Sequence, residues 1–467
     1  MPRDLEFAKQ SPVPATAAEL FEWHTRPGAF ARLAPPWERI EVVGDFPEIV
    51  DGSRVVLRMA KGPARVRWVA EHRRVQPGAG FRDVQVEGPF ALWEHDHLFE
   101  PLAAGGALLH DRIHFRPPGG ALGRLLMAGA LRRDLERTFA YRHATTAADL
   151  ELHGHYRERP RLKVAVTGAG GLVGRTLCAL LTTGGHDVLR LVRPGSPGAD
   201  HRGAGTAAWD PSRGLLEPAA LEGLDALVHL AGESIASGRW TAGRMERIRR
   251  SRVDGTRNLV ASLGRLERPP RALVSASAVG FYGDRGDRPV DESAPAGDGF
   301  LAGVCGSWEA AALAAGELGV RVAIARFGVV LSPAGGFLAR VLPLFRLGLG
   351  GRLGDGRQRM SWISVDDAAA AILHVLMTDT FAGPINLTAP RAPTNRELTA
   401  LLGAVLSRPA VLPVPGVAAR ALFGRLAEET MLSGIRAEPA RLLSAGFPFR
   451  HPEPEAALRH LLGAARS

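Results

Sequence analysis

Three short stretches carry residues that can do chemistry. The first, Thr167-Gly168-Ala169-Gly170-Gly171-Leu172-Val173-Gly174, spaces its glycines as a loop does when its backbone must pass close to a phosphate. The second, SASAVGFYG, holds Ser277 and Tyr282. The third, FLAGVCGSWEAAA, begins at Phe300 and holds Cys305 and Glu309. A serine can polarise a carbonyl group, and a tyrosine can move a proton. A phenol titrates near pH 10, however, and needs a nearby positive charge to act near neutral pH. The tyrosines are Tyr141, Tyr156 and Tyr282, and the lysines are Lys9, Lys61 and Lys163. No lysine follows Lys163, so a tyrosine–lysine pair cannot form in the second half of the chain. Three substitutes stand open. Tyr282 can draw charge from Arg326 or Arg252, Cys305 can serve as acid or nucleophile if its pKa is lowered, and Glu309 can serve as a carboxylic acid if buried.

The elements around these residues give them a frame. LKVAVTG reads as a buried strand and GGLVGRTLCALLTTGG as the helix after it, the context a dinucleotide loop requires. Gly168 permits the tight turn, Gly171 the backbone approach and Gly174 the close helix packing. Leu172 and Val173 open the helix, whose free N–H groups and dipole favour a pyrophosphate. The next strand, HDVLRLVR, ends on Arg193 where an NAD enzyme usually carries an acid. A guanidinium there suits a 2′-phosphate, so NADP(H) is the expected cofactor. LDALVHLAG, RALVSAS and VRVAIARFG continue the alternation of strands with helices, which implies an α/β Rossmann fold, a doubly wound parallel sheet.

The first 155 residues read differently. RVVLRM, RVRWVAEHRRV, FRDVQVEG, FALWEHDHLFEPL and ALLHDRIHFR have β character and in part alternate, as antiparallel strands do. Helical patterns lie before them, in ATAAELFEWHTRPGAFARL, and after them, in a long run through AYRHATTAADL. The expected organisation is a pocket-bearing domain over 1–155, a linker over 156–162 and a Rossmann domain over 163–410.

The totals exclude some classes. The chain has 467 residues, a net charge of +10 and two cysteines, Cys178 and Cys305. That excludes a disulfide framework and a four-thiolate metal site, and no metal is expected. The positive charge is spread without blocks of five or six, so nucleic acid is not the expected partner. No run of about 18 apolar residues suggests a membrane span, and the N-terminus lacks a secretory pattern. The cytoplasm is the expected location.

Two resemblances follow. The N-terminal element order, with FEWHTRPGAFARLAPPW, resembles the SRPBCC (START-like, polyketide cyclase/dehydrase) superfamily. This implies an α+β helix-grip antiparallel-sheet domain with an apolar ligand. From residue 162 onward, HLAGESIASGRW, ERIRRSRVDGT, SASAVGFYGDRGD and FRLGLGGRLGDGRQRMSWISVDD are similar to the atypical extended short-chain dehydrogenase/reductases of the "epimerase family" (YfcH-like, NAD-dependent epimerase/dehydratase-like). The resemblance implies that Leu230, Ala231 and Gly232 lie along the cofactor, that Arg252 reaches its phosphates or ribose, that Val304 sits beside the nicotinamide, and that residues 411–467 form a small helical domain. It also implies that Ser277 is the catalytic serine, to which Tyr282 is added as the candidate acid/base. Two functions remain in play: an NADP(H)-dependent oxidoreductase or epimerase-like enzyme acting on a small carbonyl or hydroxyl substrate, and a non-catalytic NADP(H) sensor whose N-terminal domain binds an apolar ligand.

Overall fold

Every second residue of ALLHDRIHFR is buried, so this strand shows one face to a core and the other outward. In the computed structural model, which describes residues 4–44, 46–62, 64–195, 205–215, 218–236 and 238–464, it is the seventh strand of the chain. The first elements are β1 (Leu5–Val13), α1 (Ala17–Thr25), α2 (Ala29–Leu33), β2 (Arg39–Val42), β3 (Arg54–Lys61), β4 (Ala64–Gln76), β5 (Gly80–Glu87), β6 (Leu92–Pro101), β7 (Ala107–Arg116) and α3 (Gly120–His155). The strands form one antiparallel sheet in the order β1-β7-β6-β5-β4-β3-β2. A capping box between Thr16 and Glu19 starts α1 by satisfying N–H groups at both positions. Trp23 of α1, Phe81, Phe99 and Leu109 of the sheet, and Leu150 of α3 share one core cluster. The expected α+β antiparallel-sheet domain is therefore present, with β1 and β2 added to the five strands read from the sequence.

The chain then alternates: β8 (Lys163–Thr167), α4 (Leu172–Thr183), β9 (Asp187–Val192), β10 (Thr206–Asp210), β11 (Gly214–Leu215), β12 (Ala226–His229), α5 (Ala242–Leu263), β13 (Ala272–Ala278), β14 (Pro289–Val290), α6 (Phe300–Leu313) and β15 (Arg321–Phe327). After these come β16 (Val329–Leu331), α7 (Gly336–Arg346), β17 (Trp362–Ser364), α8 (Val365–Met377), β18 (Gly383–Leu387), α9 (Asn395–Leu406), α10 (Gly416–Phe423), β19 (Arg436–Ala437), α11 (Ala440–Ser444) and α12 (Pro454–Leu462). The main sheet runs β11-β10-β9-β8-β12-β13-β15-β18, parallel except at the β10–β11 edge. All four residues of β12 are buried, as a strand covered by helices on both faces requires. This is the expected doubly wound Rossmann sheet.

The chain divides into two compact units, residues 1–159 with 182–185 and 460–467, and residues 160–181 with 186–459. In the second unit the strand order reverses between β8 and β12, which places a crevice beyond their carboxyl ends. Among the described residues, no helix is long and apolar enough to cross a membrane.

Candidate functional site

The turn after β8 is built for backbone crowding. Gly168 has φ +67°, and a Cβ there would lie 2.9 Å from the carbonyl carbon of Leu230. At Gly174 a Cβ would fall 2.2 Å from the Gly168 carbonyl oxygen. At Gly171 the same distance would be 3.1 Å, whereas Gly170 faces open space. The loop can close only with glycine at 168 and 174, and α4 then begins at Leu172 with its N-terminal N–H groups toward the crevice. Across the crevice, Thr167 Oγ1 accepts from the N–H groups of Leu230 (3.1 Å) and Ala231 (3.3 Å). Behind it runs a buried chain that single-residue reasoning did not find. His229 Nδ1 lies 2.7 Å from Thr167 Oγ1, its Nε2 lies 2.9 Å from Thr256 Oγ1, and Trp308 Nε1 donates to Thr256 Oγ1 at 2.9 Å. Burial lowers the His229 pKa to about 4, so the ring is neutral and ties β8, β12, α5 and α6 together.

Arg252 of α5 donates through Nη1 to Glu233 O (3.0 Å) and Ile248 O (3.3 Å), and its guanidinium stacks over Trp308 at 5.2 Å. A Cβ on Gly232 would lie 3.2 Å from its Cζ. Arg252 thus flanks the Leu230–Gly232 turn, with its pKa lowered by burial. Arg193 follows β9 directly and is exposed. Residues 196–204 beyond it lie outside the described residues.

Parallel register brings a second set of residues together. Ser277 of β13 lies opposite Arg326 of β15, and Arg326 lies opposite Asn386 of β18. From above, α6 supplies Val304, Cys305 and Glu309, all buried. Ser277 Oγ donates to Glu309 Oε1 at 2.6 Å. Arg326 grips the same carboxylate, Nε to Oε1 at 2.9 Å and Nη2 to Oε2 at 2.8 Å, and donates from Nη1 to Tyr282 OH at 3.0 Å. Tyr282 OH in turn donates to Asn386 Oδ1 at 2.7 Å.

This placement changes the reading of two candidates. Tyr282 is 0% exposed, and burial raises its pKa despite the lowering effect of Arg326. Its hydroxyl accepts from Arg326 and donates to Asn386, and the shift runs opposite to the lowering that an acid/base near neutral pH needs. Cys305 is pushed up to about 11, chiefly by burial and also by the charge of Glu309, opposite to the lowering that a nucleophilic thiol needs. Glu309, by contrast, lies where the Ser277 proton can be received.

The N-terminal unit holds a cavity of about 270 Å³. Its walls include Phe30, Leu57, Trp68, Trp93 and Phe139, and His72, Asp83, His95 and His97 also line it. Burial would lower the His97 pKa, but the charge and hydrogen bonds of Asp111 and then Asp83 raise it to about 9.

Comparison with known proteins follows the same division. Residues 13–141 match the polyketide cyclase / dehydrase and lipid transport family, 164–387 the NAD dependent epimerase/dehydratase family, and 414–461 a domain of unknown function. An epimerase family protein of Mycobacterium bovis is 45% identical over 288 residues, covering 62% of this chain and 93% of the relative. The human epimerase family protein SDR39U1 is 34% identical over 304 residues, covering 64% of this chain and 100% of the relative. Two solved structures are similar. One is a nucleoside-diphosphate sugar epimerase from Corynebacterium glutamicum, with a TM-score of 0.80 and 34% identity, covering 98% of this chain and 90% of that one. The other is human SDR39U1 with NADPH, with a TM-score of 0.58 and 33% identity, covering 64% and 99%. The glycine-built crevice, its parallel sheet and these matches lead to one assignment: the chain belongs to the NAD dependent epimerase/dehydratase family, with a polyketide cyclase/dehydrase and lipid transport domain ahead of the nucleotide-binding fold.

Proposed function

We propose that the second unit binds NADP(H) and is an epimerase/dehydratase-like oxidoreductase acting on a small carbonyl or hydroxyl compound. The cradle fits the cofactor, because any side chain at Gly168 or Gly174 would fill the space through which the backbone closes. In this reading the amides of Gly171, Leu172 and Val173 hold the pyrophosphate, and Arg193 takes the 2′-phosphate. Leu230, Ala231, Gly232 and Arg252 line the ribose side, and Val304 stands toward the nicotinamide. When bound, the nicotinamide supplies a site to accept or give a hydride. Binding of NADPH by a human relative supports the choice.

The chain's own contribution is proton handling, and the 2.6 Å contact from Ser277 to Glu309 carries the proposal. Ser277 Oγ, whose own hydrogen goes to Glu309, accepts a hydrogen bond from a substrate hydroxyl. When that hydroxyl loses its proton, Ser277 takes it and passes its own to Glu309 Oε1, and the process reverses when a carbonyl is reduced. The Arg326 fork fixes the carboxylate and balances its charge. This relay does the work that a tyrosine–lysine pair would do. The test is a screen of carbonyl compounds for NADPH oxidation. Activity lost in Ser277→Ala and Glu309→Gln, with cofactor binding retained in both, supports the relay, and activity kept in both contradicts it.

A second reading draws on the fully enclosed Tyr282 and the neutral Cys305: a protein that binds NADP(H) without turnover. In either reading the apolar walls of the N-terminal cavity suit a small apolar ligand, in keeping with the match to a lipid transport family. A failed screen with intact NADPH binding favours the sensor.

A further inference from the structure

Strand register gathers a second set of chemistry-bearing side chains on one face of the N-terminal sheet. His72 of β4 lies opposite Asp83 of β5, Asp83 opposite His95 of β6, and His97 opposite Asp111 of β7. His95 and His97 are two residues apart, so they share a face. We propose that Asp83, His95 and His97 bind a divalent transition-metal cation at the polar end of the cavity, leaving one coordination position toward its apolar walls.

The geometry supports this in three ways. One ligand atom from each of the three residues lies within 4.8 Å of the other two, and His97 Nε2 is already 3.3 Å from Asp83 Oδ2. Tetrahedral bonds of about 2.0–2.2 Å place ligand atoms about 3.3–3.6 Å apart, so the His97–Asp83 pair already fits and His95 must move inward to complete the set. Next, the imidazoles are held from behind. Asp111 Oδ1 accepts from His95 Nε2 at 2.7 Å and lies 2.9 Å from His97 Nδ1. Asp111 Oδ2 is 2.8 Å from His143 Nε2, whose Nδ1 is 2.9 Å from Ser11 Oγ. A carboxylate behind a histidine fixes the tautomer and turns the other nitrogen toward a metal. Here that leaves His95 Nδ1 and His97 Nε2 available. Finally, His72 Nδ1 sits 2.6 Å from Asp83 Oδ1, which orients the carboxylate, while His72 Nε2 is buried with no hydrogen-bond partner. A buried polar atom left this way is costly unless something polar enters the cavity.

Two imidazoles and one carboxylate suit zinc or ferrous iron better than calcium or magnesium. The remaining position would accept a carbonyl or hydroxyl oxygen of an apolar molecule. The competing arrangement is a metal-free ion cluster in which a proton on His97 bridges Asp83 and Asp111. Both arrangements leave His72 Nε2 free to meet the oxygen of a bound molecule, and uptake of a metal ion separates them.

Cobalt(II) is the probe, used on the tag-free full-length chain after chelator treatment and dialysis. The wild-type protein should take up one equivalent with visible ligand-field bands, and zinc should displace it. Asp83→Asn and His95→Ala should abolish the bands, and Asp111→Asn should weaken affinity by roughly 10–100-fold. His114→Ala, on the opposite face of β7, should bind as wild type does. Wild-type protein that takes up no cobalt overturns the proposal, whatever the variants do. Bands unchanged in both Asp83→Asn and His95→Ala overturn it as well.

Discussion

Ser277 at the end of β13 gives its hydroxyl hydrogen to Glu309 of α6 across 2.6 Å, in a site where both side chains are buried. Arg326 from the neighbouring strand holds the same carboxylate with two N–H groups. The pair is 4% and 8% exposed at its side chains, so breaking it leaves a charge out of reach of water. Glu309→Ala should therefore lower stability by about 3–5 kcal/mol. The double variant Glu309→Met with Arg326→Met should recover much of that loss, because no unpaired charge remains. Thermal unfolding of the three proteins side by side checks this. A double variant no more stable than the single one would mean the ion pair is not the dominant interaction.

The glycines of the cofactor turn are not equivalent. Gly174→Ala places a Cβ against backbone, 2.2 Å from the Gly168 oxygen and 2.8 Å from Ala169 Cα. Neither neighbour can swing aside as a flexible side chain can. NADPH affinity should fall at least about tenfold, or 1.4 kcal/mol. Gly170→Ala meets nothing within 4 Å and should bind as wild type does. Fluorescence titration of both variants separates a packing requirement from a general intolerance of change in the loop.

Tyr282→Phe removes one hydroxyl between Arg326 and Asn386 and keeps the ring. The loss of two buried hydrogen bonds should cost about 1–3 kcal/mol, with NADPH binding unchanged. In any reaction found for the protein, turnover should survive in Tyr282→Phe and fail in Ser277→Ala. The reverse pattern would return Tyr282 to the role of acid/base.

These residues show how far the sequence could be read. The dinucleotide turn was legible because glycine spacing is local and its cause, backbone crowding, travels with it. The relay was not. Glu309 and Arg326 were each visible as single candidates, but only the register of β13 against β15 and the placement of α6 bring them to one serine. Tyr282 is only five residues past Ser277, yet the 3-10 turn at Val279–Tyr282 carries its hydroxyl to Asn386 of β18. The histidine cluster had a partial signal, since EHDH on β6 alternates two histidines onto one face. Its other members lie on β4, β5 and β7, and no spacing along the chain announces them.

Burial holds Cys305 neutral, with its pKa raised from 9.0 to about 11. In the unfolded chain the thiol ionises at lower pH, so between about pH 9 and 11 the unfolded state loses its proton first. The stability that Cys305 contributes is present below pH 9 and is lost as the pH rises through 11. Urea midpoints measured across this range should fall less steeply for Cys305→Ala than for wild type. The native thiol should also resist alkylation at pH 8 until the protein is unfolded. Rapid labelling of Cys305 in the native protein would contradict the burial argument.

The most direct measurement is a titration of the cofactor-free protein with NADPH and NADH, following nicotinamide fluorescence, in wild type and in Arg193→Ala. The account predicts a preference for NADPH of about tenfold or more, roughly 1.4 kcal/mol, which disappears in the variant while NADH affinity stays the same. Equal binding of both cofactors by the wild type would remove Arg193 from the site. Binding of neither would contradict the central claim that the Gly168–Gly174 turn holds a dinucleotide.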